Sequence, residues 1–387
     1  MRKQDLSPLA SSPATPLAPS SRRPALLPAF ALVLGCLSGG VALAGDDEKP
    51  ALPKPEPYIL LQVWGTAYDQ DQDPIADPAS YGDPEDDMGF KVRRARFGFR
   101  GDADGIRYAV VAGVSAPYDQ MLDTPDDDIG LVDAYAGFKV VKGLWLSGGL
   151  QEVPLSREHL MSSGDLVLAE RTAGTQWMIP DREVGLVFDG RFGPDDKTRA
   201  RVRLGAFNGN GDLFTDDNAG KLVTARAEFA TGGNAYETWG KVNKVTVGFA
   251  GDFFMNPSIS TDTLGYGADL IFRVQGLAVL VEGHMATISP ANSDLDQPGV
   301  LEDTTRTSVV AQAGYSVQHF EPAVRFGMFD DNGSNDDNGD VGEVSGGLTY
   351  HMRKDALRFG GAYVARLELQ GTEIPNDTVR LWAQLRY

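Results

Sequence analysis

Residues 377–387 read D-T-V-R-L-W-A-Q-L-R-Y, and the sequence stops there. Val379, Leu381, Ala383, Leu385 and Tyr387 alternate with Thr378, Arg380, Trp382, Gln384 and Arg386. A period of two is the signature of a strand with one apolar and one polar face. Trp382 alone sits uneasily on the polar face, where a bulge or an interfacial position would accommodate it.

The same alternation recurs upstream. Fifteen further segments show it, near 58–69, 89–101, 106–116, 131–141, 144–153, 182–193, 198–208, 221–230, 243–254, 266–274, 277–287, 306–317, 322–329, 341–351 and 356–369. Many are about ten residues long, enough for a tilted strand to cross a bilayer. No long window has helical periodicity. Gly98, Gly113, Gly137 and Gly346 fall inside segments and suggest bends in a curved sheet.

The connections are unequal. Links after odd-numbered segments are mostly long and acidic, such as P-Y-D-Q-M-L-D-T-P-D-D-D-I-G and D-D-N-G-S-N-D-D-N-G-D. Links after even-numbered segments are mostly short, such as K-G, Q-G and M-R-K-D, although the one near 231–242 is longer. An outer-membrane barrel predicts this asymmetry, with short periplasmic turns and long outer loops. A soluble sandwich does not. The expected fold is therefore all-β: a transmembrane antiparallel β-barrel of about sixteen strands. Charged residues on the polar faces stay hydrated if that face lines water, which avoids burying unpaired charge. Closure pairs every strand edge.

Export fits this reading. Residues 25–44, A-L-L-P-A-F-A-L-V-L-G-C-L-S-G-G-V-A-L-A, follow Arg22 and Arg23 and end in Ala42-Leu43-Ala44. Basic flank, apolar run and A-x-A site read as a secretory signal over 1–44. Cys36 lies in a loose lipoprotein box, and Ser21-Arg22-Arg23 in a loose twin-arginine context. Residues 45–57 are a Pro-rich charged linker, which leaves 58–387 for the barrel. Removing 1–44 changes the net charge from −19 to −22 and removes the only cysteine. The mature chain then has neither a disulfide nor a cysteine metal site. So negative a chain excludes a nucleic-acid partner.

Three stretches resemble the phosphate-selective porin O/P family of Gram-negative outer membranes. They are F-K-V-R-R-A-R-F-G-F-R-G (90–101), L-S-G-G-L-Q-E-V-P-L-S-R-E (146–158) and A-E-R-T-A-G-T-Q-W-M-I-P-D-R-E-V-G-L-V-F-D-G (169–190). The resemblance implies a sixteen-stranded barrel, a homotrimer, and a long loop that narrows the pore. Residues 154–181 are the candidate loop. The constriction candidates are Glu152, Arg157, Glu158, Glu170, Arg171, Asp181 and Arg182, and His159 and Asp165 lie in the same loop. Where the family has a lysine before the proline of the second stretch, this sequence has Glu152. That departure weakens strong phosphate selectivity, because an anion filter needs cations crowded in a poorly screened section.

Parity places Arg94, Arg96, Arg199, Arg201, Arg203, Arg226, Arg273, Arg325 and Arg380 on the lumen face, with Arg100, Arg358 and Arg386. Two readings are open for each. They form a track for anions, or they pair structurally with Asp133, Glu183, Asp189, Glu228, Asp269 and Glu282. The Asp-rich run 330–340 lacks EF-hand spacing, since Val341 follows Asp340 where glycine is needed. No nucleophile elbow, H-E-x-x-H or phosphate loop occurs, so neither an enzyme nor a cofactor is expected.

The expected function is passive diffusion of small hydrophilic solutes across the outer membrane, with some preference for anions or phosphate. A non-conducting barrel for surface recognition is the alternative, and a barrel hydrolase a third. Expected partners are outer-membrane lipid and lipopolysaccharide, small anions, and the barrel-insertion machinery, which would read the strand ending in Tyr387.

Overall fold

The chain was described by a computed structural model. It describes residues 54–68, 89–103, 105–115, 130–193, 198–211, 216, 220–258, 261–291, 302–335, 339–353, 355–371, 373 and 377–387. The expected signal and most of the linker lie outside them.

Among the described residues sixteen strands form: β1 Glu56–Tyr68, β2 Gly89–Ala103, β3 Ile106–Ser115, β4 Gly130–Val141, β5 Leu144–Glu152, β6 Arg182–Phe192, β7 Thr198–Phe207, β8 Leu222–Thr231, β9 Val242–Pro257, β10 Thr261–Gln275, β11 Leu277–Pro290, β12 Thr304–Tyr315, β13 Phe320–Asp330, β14 Val341–Met352, β15 Leu357–Glu368 and β16 Thr378–Arg386. Each pairs antiparallel with its sequence neighbours, and β16 returns to β1 to close the barrel. Two short helices, α1 Arg157–Leu160 and α2 Ala173–Met178, lie between β5 and β6. Among the described residues, no helix is long and apolar enough to cross a membrane.

The C-terminal stretch closes the ring. Its register runs from Leu60↔Arg386 to Tyr68↔Thr378, and the Ile59 and Tyr387 amides bond each other's carbonyls at 2.8 and 2.9 Å. Its alternation is physical: Leu381 is 60% exposed on the outer wall and Arg380 8% on the inner. Trp382 points inward, as its parity requires, and needs no bulge. It packs with Trp64, Leu168 and Ala169. Gly360 makes room opposite, since a Cβ there would overlap the indole.

All sixteen expected segments are strands. β1 starts at Glu56, two residues before the expected boundary. β9 and β10 run further than their alternation suggested, so the link between them shrinks to 258–260. The inner face is not uniformly wet. Phe207, Leu222, Ile271, Leu280, Phe329 and Val341 are buried on it. The reason is the inward loop, whose Val153, Leu155, Met161, Leu166, Met178 and Ile179 pack on them in two apolar clusters.

The long even link, 232–241, also turns inward. Arg273 donates to the carbonyls of Asn234 (3.0 Å) and Trp239 (2.8 Å), and Gly240 N to Ser316 Oγ (2.8 Å). The Trp239 ring stacks on His351 of β14, with centroids 3.4 Å apart and planes 5° from parallel. This turn covers the turn end of the lumen from β8 towards β14. Replacing 234–239 with a short Gly-Ser turn is expected to raise single-channel conductance about twofold, since a second passage opens. An unchanged conductance would show that the turn obstructs nothing.

Candidate functional site

The site is the lumen, and its geometry is set by how residues 153–181 cross it. The loop leaves β5 at the long-loop end and first docks on β9–β11. Ser156 adopts a left-handed φ of 53° at the cap of α1. Three bonds over-determine that strained residue: its amide donates to Asp252 (2.9 Å), its hydroxyl to Glu282, and the His159 amide donates to its Oγ (3.0 Å). Glu282 also accepts the Arg157 and Glu158 amides at 2.7 and 3.1 Å. A carboxylate receiving the first amides of a helical turn satisfies donors that have no other partner.

Arg157 continues the attachment. Its Nε lies 2.5 Å from Asp269, and its Nη1 donates to the Ala235 carbonyl of the inward turn at 3.1 Å. Arg226 bridges Asp252 and Asp269 beneath it. The loop then reaches β14–β16. Gln62 and Gln384 donate to the Ser163 and Gly164 carbonyls (3.0 and 2.9 Å), Arg358 to that of Leu166 (3.1 Å), and Arg386 pairs with Asp165.

On the return, Glu170 meets Arg93 (2.8 Å) and Arg94 (2.6 Å), while Arg325 donates to the Glu170 carbonyl and pairs with Glu343. Arg171 staples the loop to itself through the His159 and Met161 carbonyls (2.8 and 2.7 Å). Glu158 accepts from Thr172 Oγ1 at 2.7 Å. Gly174 lets α2 approach β12 so closely that a Cβ would collide with Ser308.

Burial alone would raise the Glu170 carboxyl, but Arg93 and Arg94 outweigh it and hold it below the ordinary carboxylate range. Docking is thus fully supported above the usual titration near pH ~4.3 and weakens as pH falls towards the lower docked value. Channel current is expected to be steady from about pH 8 to 5 and to become noisy below about pH 4. Glu170→Gln should be noisy already at pH 7. A quiet variant would assign docking to other contacts.

What the loop leaves open is a passage of about 330 Å³ against the β2–β7 wall. Arg96, Arg100, Arg107, Arg182, Arg201 and Arg203 line it with Asp133, Glu152 and Asp189, opposite Leu160, Ser162 and Ser163 of the loop. The six arginines exceed the three carboxylates by three charges, in a chain whose net charge is −19. Asp189 takes Arg107 (3.2 Å), Arg191 (2.9 Å) and Arg201 (2.8 Å). Arg182 bridges Asp133, Glu152 and Asp181 at 2.7 to 2.9 Å. Arg203 pairs with Glu228. Among the described residues, Arg96 has neither an ion pair nor a hydrogen bond, and its Nε is shielded from water.

The expected arginine track thus divides. Arg96, Arg201 and Arg203 line the passage. Arg94, Arg226 and Arg325 are buried beneath the loop, Arg273 holds the inward turn, and Arg380 lies 4.2 Å from the Trp64 ring centroid. The Arg199 side chain lies outside the description. Of the constriction candidates, Glu152 and Arg182 face the passage, Asp181 sits beside them, and Arg157, Glu158, Glu170 and Arg171 are anchors. Arg93 and Arg107 escaped the sequence reading. Arg93 is the extra residue where the β1–β2 register shifts between Gln62 and Val63, and a bulge defeats parity. Arg107 follows the same alternation as buried Ala109 and Val111, a signal available in the sequence.

His159 is buried, and that burial, with Arg171 and Arg182 nearby, pushes its imidazole down to about 3. Such a group is a poor general base at neutral pH.

Residues 67–252 match a family model. The family is that of the phosphate-selective porins O and P. The match contains all three resembling stretches and ends in β9. No curated protein matches. Among solved structures, an anion-selective porin from Comamonas acidovorans superposes with a TM-score of 0.57 at 10% identity, over 86% of this chain and 99% of that one. OmpT of Vibrio cholerae in its trimer form gives 0.55 at 12%, over 87% and 100%. The outer-membrane channel DcaP of Acinetobacter baumannii gives 0.51 at 14%, over 89% and 100%. At such identities the likeness is one of fold. The family match and the sixteen-stranded closed barrel together support an outer-membrane channel and point away from an enzyme.

Proposed function

We propose that this porin is a passive diffusion channel with a weak preference for small anions, phosphate among them. The observation that carries the reading is the positive surplus along the β2–β7 wall that the loop leaves uncovered. In a narrow passage with low-dielectric walls, fixed charge raises the local concentration of counter-ions. The preference is weak because five of the six arginines are tied to carboxylates. Glu152 lies among them, where the family pattern has a lysine.

Residues 1–44 are proposed as the export signal and the strand ending at Tyr387 as the feature read by the insertion machinery. The outer wall is proposed to face lipid and lipopolysaccharide, and three copies to assemble as a homotrimer. A tenfold KCl gradient across a planar bilayer tests the selectivity. A reversal potential of chloride sign is expected, and a potassium sign would reject the preference. A folded protein that never conducts would reject the channel.

A further inference from the structure

A second cavity opens at the long-loop end of the lumen, and its chemistry differs from that of the passage. About 240 Å³ in volume, with Asn256 and Thr263 at a polar edge, it is walled mainly by Trp177, Met178 and Ile179 of the inward loop, Phe254 of β9 and Ile288 of β11. These are greasy surfaces where a channel for inorganic ions needs none. Arg306 of β12 reaches the same cavity. Its strand parity is that of Ser308 and Val310, which are buried on the lumen side. Among the described residues its side chain has no ion pair or hydrogen bond, and its Nε is shut off from water without an acceptor.

A shielded guanidinium Nε lacking an acceptor is costly, and a carboxylate reaching it and a neighbouring Nη satisfies it with paired hydrogen bonds. Chloride or phosphate would satisfy Arg306 but leave the apolar wall wet. A neutral hydrocarbon would cover the wall and leave Arg306 unanswered. One molecule that does both is a flat ring bearing a carboxylate. A cavity of ~150 Å³ is enough for benzene, so this one accommodates a ring with its acid group. A ring also stacks or sits edge-on against Trp177 and Phe254, and its rigidity keeps the ordering cost small.

We infer that this cavity is a binding site for small aromatic carboxylates at the mouth of the channel. The inference deepens the proposed function and rests on it: the solutes are organic acids captured before they enter the arginine-lined passage.

The test uses the intact porin in planar bilayers in KCl, with benzoate as probe, and benzamide and acetate as matched compounds lacking the charge or the ring. Benzoate is expected to interrupt the current at concentrations at least tenfold lower than either. Arg306→Gln and Trp177→Ala should each remove at least tenfold of that difference, and Arg306→Lys should restore most of it. Equal potency of acetate and benzoate, or benzoate block unaltered in Arg306→Gln, overturns the site. If no KCl current is seen, the channel reading has failed separately. Equilibrium dialysis of radiolabelled benzoate against the detergent-solubilised protein then decides the site: binding lost in Arg306→Gln supports it, and no binding overturns it.

Discussion

Arg157→Ala is expected to raise single-channel conductance severalfold and to make the current noisy, while the barrel still closes. The Arg157 side chain is 1% exposed and joins three parts of the molecule. It pairs with Asp269 of the wall, donates to Ala235 of the inward turn, and lies 4.9 Å from the Tyr236 ring centroid. Removing one partner of a buried pair costs about 3–5 kcal/mol, because the other charge is left in a poor solvent. Here Asp269 keeps Arg226 and Glu228 keeps Arg203, so the loss weakens a shared network and falls at the low end of that range. The loop can relieve that cost by leaving the wall and admitting water, which widens the passage. The ring of sixteen paired strands does not depend on Arg157, so heat-modifiable migration in detergent gels should persist. Arg157→Lys keeps the charge but loses the forked donors, and should fall between. A variant of unchanged conductance would show the loop to be held by its apolar contacts alone.

Arg96→Glu should move the reversal potential towards potassium by on the order of 10 mV, out of the ~59 mV span that a tenfold gradient allows. The substitution cuts the surplus of the lining from three charges to one. Arg96 is the informative position because it holds no carboxylate, so nothing is uncovered when it goes. Removing Arg201 or Arg203 also exposes Asp189 or Glu228, and two causes would then act together. Arg94→Gln is the matching contrast. Arg94 is buried against Glu170 and Gln62, so its loss should disturb loop docking more than selectivity. Equal shifts in the two variants would contradict the division between lining and anchoring arginines.

The strand pattern was legible because a closed barrel repeats one rule sixteen times: alternate residues meet different media. Val379, Leu381 and Leu385 are exposed on the outer wall, while Thr378, Arg380 and Gln384 are buried on the inner. A local period of two carries all of that. Trp382 obeyed it too, and what looked like an exception was a contact with Leu168 and Ala169, more than two hundred residues earlier in the chain. The candidate site was legible in its members and illegible in their roles. Parity put Arg96 and Arg226 on the same face, yet one lines the passage and the other bridges Asp252 and Asp269 beneath the loop.

By itself the sequence determined the barrel, its strand number and most of the inward residues, since each follows from neighbouring residues, and link length together with the family resemblance marked the crossing loop. Only the tertiary structure decided which inward charges stay free, because that depends on where residues 153–181 and 232–241 come to rest. A loop laid along β8–β16 spends the charges it covers on its own attachment. Apart from Arg93 and Arg94, it leaves those on β2–β7 to the water, and no periodicity records which wall it chose.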